Sequence, residues 1–74
     1  MPTRNELDFI IAWQARDSAQ LRESMLTIDG PPCALPEHDR TWTLTPRGRD
    51  LIATAAALDI DPATARAGMS EGGQ

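Results

Sequence analysis

The run Gly30-Pro31-Pro32, followed closely by Pro36, constrains this chain more than any other feature. Proline fixes φ and has no N–H to donate, and a preceding glycine supplies the left-handed stop that ends many helices. No helix of useful length fits between Thr27 and Arg40. Helices must therefore form upstream and downstream of an irregular or extended middle.

Upstream, the spacing predicts a helix over 5–16. Asn5 is placed to cap it, and Glu6 and Asp8 sit favourably in its first turn. Leu7, Ile10, Ile11 and Gln14 recur at helical spacing, with Phe9 and Trp13 on an adjoining stripe. So wide an apolar arc marks the centre of a core. Asp17 or Ser18 caps a second helix over 18–29, with Leu21, Met25 and Ile28 along one side and Leu26 beside them.

Downstream, Thr41 to Thr45 alternates polar and apolar residues of strong β propensity and predicts a strand over 41–45. A single strand leaves its backbone groups without partners. Cys33 to Leu35 is the nearest pairing segment, giving a hairpin with its tip at Pro36 to Arg40; a strand from a second chain is the alternative. Thr45-Pro46 starts a helix over 46–58, with threonine as cap and proline at the first position. Asp61-Pro62 repeats the signal for a short helix over 62–67, which packs Ile60 and Met69 onto the core. The fold class expected is mainly α with a small β-hairpin, in one domain over 1–70 with a flexible tail at 71–74. The expected core is Leu7, Ile10, Ile11, Leu21, Met25, Ile28, Leu44, Leu51, Ile52 and Leu58.

A chain of 74 residues builds one small core, and domains this short bury only about 60% of their unfolded surface. Small cores gain support from disulfides, metals or a second subunit. Cys33 is the single cysteine, and with His38 it is the only soft ligand, too few for a zinc site. A homodimer is the remaining expectation, with no cofactor and no metal. The lone cysteine and the absence of a long apolar run suggest a cytoplasmic protein that does not enter membranes. All seven basic residues are arginines, the net charge is −4 and the pI is about 4.6. Phosphate backbones repel such a chain on average, although a local basic patch overrides the sum.

The segment Trp42-Thr43-Leu44-Thr45-Pro46-Arg47-Gly48-Arg49-Asp50-Leu51-Ile52 resembles the wing-to-helix junction of winged helix-turn-helix regulators of the MarR, PadR and HxlR kinds. In that pattern a strand leaves the wing, threonine caps the next helix, proline starts it and glycine allows close packing in its first turn. Phe9 to Trp13 and Ser18 to Met25 resemble the first two helices of the same families, so the likeness covers about 8–58. It implies a reduced winged-helix-like domain, because the groove-reading helix of those families would fall where the prolines stand. A second likeness lies at Ala56 to Arg66, which resembles the turn and recognition helix of a general helix-turn-helix. There Asp59 stands in the usual glycine place and Asp61 in the usual serine place. That likeness implies nucleic-acid contacts at Thr64 and Arg66.

Arg40, Arg47 and Arg49 bracket the wing and the helix start, where they form either a patch for phosphates or acidic protein, or a solvated face. Trp13 and Trp42 are most simply core residues; if one is exposed as a binding contact, Trp42, on a poorly buried element, is the better of the two. The partner-binding candidates are thus Arg40, Trp42, Arg47 and Arg49. Glu6, Asp8, Asp17, Glu23 and Asp29 concentrate negative charge in the first half, as a surface that mimics nucleic acid, docks on a basic groove or simply aids solubility. Catalysis has little support: Cys33 and His38 suggest a nucleophile and base, but they are flanked by prolines with no sign of a shaped pocket, and Glu37 and Asp39 beside His38 form no recognised metal spacing. The function expected is a non-enzymatic regulatory module that docks on a partner protein, of the size and style of a phage or mobile-element inhibitor or adaptor. The alternative is a dimeric helix-turn-helix transcriptional regulator that binds DNA.

Overall fold

Helix α1, Arg4–Ala15, starts one residue earlier than the sequence spacing predicts, because Thr3 and not Asn5 is its cap. The Thr3 hydroxyl accepts from the Glu6 N–H, and the Glu6 carboxylate accepts from the Thr3 N–H at 2.8 Å. This reciprocal box satisfies two donors that a helix start leaves without partners. Asn5 is thereby released to reach across the fold. Its Nδ2 donates to the Thr27 carbonyl at 3.0 Å, at the far end of the second helix. The computed structural model describes residues 2–38 and 41–69.

Helix α2, Ser18–Thr27, follows after a turn at Arg16, whose left-handed φ of 57° lets its N–H reach back to Ala12 and Trp13. The Asp17 carboxylate caps α2 by accepting from the Gln20 N–H. The helix ends at Thr27, not at Asp29, because Ile28 is already extended. Residues 28–33 carry no helix, as the glycine and prolines require. Gly30 takes φ +83°, a conformation that side chains resist.

Strand β1, Ala34–Pro36, and strand β2, Trp42–Leu44, form the antiparallel hairpin, with Ala34 opposite Leu44 and Pro36 opposite Trp42. Both strands are shorter or later than the spacing predicts, because Cys33 and Thr45 are used to join the hairpin to the helix that follows. The Thr45 N–H donates to the Cys33 carbonyl at 3.0 Å and its hydroxyl donates to the Pro32 carbonyl at 2.7 Å. That hydroxyl also accepts from the Gly48 N–H and so caps helix α3, Pro46–Ala57. The short helix α4, Pro62–Ala67, closes the chain onto α1. The fold is mainly α with a two-stranded hairpin.

Helix α1 is the hub and touches α2, α3 and α4. Phe9, Ile10, Ala12, Leu21, Cys33, Ala34 and Ala55 are buried together, and Met25, Ile28, Leu44, Leu51, Ile52 and Ile60 pack against them in part. Leu7 is also fully buried. Hiding a side chain such as Phe9 or Ile10 contributes about 1.5–3 kcal/mol. Two expected core residues lie elsewhere. Leu58 is 56% exposed because it caps the end of α3, and Ile11 is only half-buried beside a groove between α1 and α2. Their places are taken by Phe9, Ala12, Cys33, Ala34 and Ala55. The tail at 71–74 lies outside the described residues.

The junction between β2 and α3 depends on one missing side chain. A Cβ on Gly48 would stand 2.0 Å from the Cys33 carbonyl oxygen and 3.1 Å from Leu44 Cδ2. Glycine is therefore a packing requirement at the first turn of α3.

Candidate functional site

Two half-buried tryptophans define the most distinctive surface. Trp42 leaves the hairpin and its indole N–H donates to the Ser18 hydroxyl at 3.0 Å, which ties the strand to the start of α2. Trp13 stands on α1 with its ring 6.5 Å from the buried Phe9 ring. The two tryptophans share the walls of a groove of about 250 Å³ with Arg16, Leu21 and Thr41. The Arg16 guanidinium lies over Trp13, with Cζ 4.9 Å from the ring centroid. Attraction between a cation and a ring face, about 0.5–1 kcal/mol at an exposed position, favours this pairing. The groove is thus lined by two aromatic rings, one of them stacked under a guanidinium, with Leu21 and Thr41 beside them.

The arginines divide in an unexpected way. Arg47 turns inward: Nη1 donates to the Asp29 carbonyl at 2.6 Å and to the Pro31 carbonyl, while Nη2 meets Glu6 Oε2 at 3.1 Å. It clamps the Gly30 loop to the start of α1. The carboxyl of Glu6 is held below its ordinary value, first by the hydrogen bond from the Thr3 N–H and also by Arg47. Arg49 is exposed. Residues two apart on a helix do not share a face, so Arg47 and Arg49 make no joint patch. Arg40 lies outside the described residues.

Helix α4 is anchored in the same internal way. Arg66 Nε donates to Asp8 Oδ1 of α1 at 2.8 Å. The Thr64 hydroxyl donates to Asp61 Oδ2 at 2.8 Å. The groups expected to touch nucleic acid thus make contacts inside the domain, and Ile60 packs on the core as its spacing predicts. Asp59 adopts φ 57°, in the left-handed region that favours glycine.

Cys33 is fully buried, and burial pushes its thiol pKa up, so it is poorly suited to act as a nucleophile. His38 stands exposed in the turn. Among the described residues no cluster of three or more His, Cys, Asp or Glu side chains is placed to hold a metal, and no helix is long and apolar enough to cross a membrane. Arg16 is the groove residue that the sequence gives no sign of, and Trp13 stands second to Trp42 there. Arg16 lies past the end of α1 in a left-handed turn, so helical spacing does not place it over Trp13.

Compared with known proteins, the chain matches no family model, no curated protein and no solved structure.

Proposed function

We propose that this chain is a non-enzymatic regulatory module that docks on a partner protein through the Trp13–Trp42 groove. One observation carries the reading: two tryptophans and an arginine, the residue types that dominate binding energy at protein interfaces, line one preformed groove. Trp13 and Arg16 are already ordered against each other, so little side-chain freedom remains to be lost on association. Its occupant would be a segment with an apolar side chain for the tryptophans and an acidic group for Arg16.

The internal use of Arg47 and Arg66 supports this reading over a DNA-binding regulator. The element order also suits a winged-helix scaffold from which the groove-reading helix has been lost, as in a phage or mobile-element inhibitor or adaptor. A homodimer remains part of the proposal, since so small a core gains from a second subunit.

The test is affinity capture from the native host's lysate, with and without nuclease, beside a gel shift on generic duplex at about 50 mM salt, where non-specific phosphate contacts are strongest. The proposal expects a retained protein that survives nuclease and no shifted duplex. Duplex binding, with the captured protein lost on nuclease treatment, would establish the DNA regulator instead.

A further inference from the structure

A second groove runs along the opposite flank of α1. Helices α1 and α2 form an antiparallel pair: Asn5 meets the Thr27 carbonyl at one end, and the Arg16 turn joins the helices at the other. One side of this pair faces the core. The other side is open and forms a groove of about 400 Å³. Arg4, Asp8, Ile11 and Ala15 contribute to it from α1 at helical spacing, and Gln20, Glu23, Ser24 and Thr27 from α2.

Three features point to a helical occupant. The floor is small and apolar, made by Ile11, Ala12 and Ala15, so that another backbone has room to approach. Ser24 also lines the groove and is only 5% exposed. The hydrogen bonds it accepts from Thr27 and Ile28 end on its carbonyl and not on its hydroxyl. No sealed side-chain oxygen among the described residues lacks a partner, so this hydroxyl keeps access to solvent, where a polar group of a guest can meet it. The rim carries Asp8, Asp17 and Glu23 against the single cation Arg4. Asp8 gives one oxygen to Arg66 and Asp17 gives one to the α2 cap, which leaves each a second oxygen.

We infer that the α1–α2 groove receives an amphipathic basic helix of a partner protein, laid along the small apolar floor with its Lys or Arg side chains on the acidic rim. The guest helix completes a three-helix layer on the side of the pair that the rest of the fold leaves open. Its chemistry is opposite to that of the Trp13–Trp42 groove, so the two surfaces fail or stand independently.

The experiment uses the full chain and two synthetic helices, one of leucine and lysine at helical spacing and one with every lysine replaced by glutamate. Binding is followed by fluorescence anisotropy and by amide chemical shifts. The basic helix is expected to bind, with shifts centred on Ile11, Ala15, Glu23 and Ser24. Glu23→Arg and Ala15→Trp, both at exposed positions, should each weaken it about tenfold, as reversing a rim charge or filling the floor does. Ser24→Ala should weaken it less, and Thr41→Arg in the other groove should change nothing. Equal binding of both helices, shifts centred elsewhere, or no response to Glu23→Arg and Ala15→Trp would overturn the inference. Absence of binding at roughly 1 mM peptide, the weak limit of specific association, would overturn it as well.

Discussion

Arg47 and Glu6 meet at 3.1 Å, although 41 residues separate them in sequence. The contact joins the start of α1 to the start of α3, and the same guanidinium holds the carbonyls of Asp29 and Pro31. The Gly30 loop is thus fastened to α3 by a guanidinium that is itself held by α1.

Replacing Arg47 with alanine leaves two carbonyls and a partly buried carboxylate without their donor. A loss of about 1–3 kcal/mol is expected, since each of the lost hydrogen bonds contributes a net of about 0.5–1.5 kcal/mol and water replaces part of them at these exposed carbonyls. Urea unfolding followed by tryptophan fluorescence measures it. Arg47→Lys should recover only part, because an ammonium cannot reproduce the planar fork.

Glu6 makes stability depend on pH. Its folded pKa lies below the ordinary value of 4.5, so the folded chain binds fewer protons there than the unfolded chain. The contribution is fully present above the unfolded value and disappears as pH falls through the folded one. Urea midpoints measured from neutral pH down into the acid range should show this loss, and Glu6→Gln should flatten that part of the curve.

At Gly48 an added methyl group would meet the Cys33 carbonyl oxygen at 2.0 Å. Gly48→Ala should destabilise by about 1–3 kcal/mol or more, because overpacking forces the backbone apart. A lowered thermal midpoint with unchanged helix content would show that the junction, and not α3 itself, bears the strain.

Asp59 sits at φ 57° with a side chain that left-handed backbone disfavours. Asp59→Gly should therefore raise stability by up to about 1 kcal/mol, the relief being partly offset by a more flexible unfolded chain. A lowered thermal midpoint would contradict that reading.

Cys33 is sealed at 0% exposure and its thiol pKa is raised. An aromatic disulfide reagent should react with it only through opening of the fold, so its rate should track global stability across the Arg47 and Gly48 variants. Rapid labelling of the native chain would place Cys33 at the surface.

Much of the fold was legible because its signals are local. Gly30-Pro31-Pro32 forbids a helix whatever surrounds it, and Thr45-Pro46 and Asp61-Pro62 start helices by the chemistry of two residues each. The hairpin was legible because a lone strand must find a partner and only one segment stood close. The sequence does not separate Thr3 from Asn5 as the cap, because both fit the local preference, and the choice is made by the distant Thr27 carbonyl. Cys33 and Ala34 entered the core because the hairpin folds against α3, which no local pattern reveals. The arginines were the hardest to place. Composition puts Arg47 and Arg49 side by side, yet only the tertiary path of the Gly30 loop decides that one of them turns inward.

Partner contacts are expected to come from the tryptophan groove and not from the α3 arginines. Capture from nuclease-treated host lysate should be compared for the wild type, Arg16→Glu and Arg49→Ala, with folding of each checked by circular dichroism. Arg16→Glu should abolish retention of the protein held by this groove, while Arg49→Ala should keep it. Retention unchanged by Arg16→Glu but lost with Arg49→Ala would show that the groove is not the docking surface.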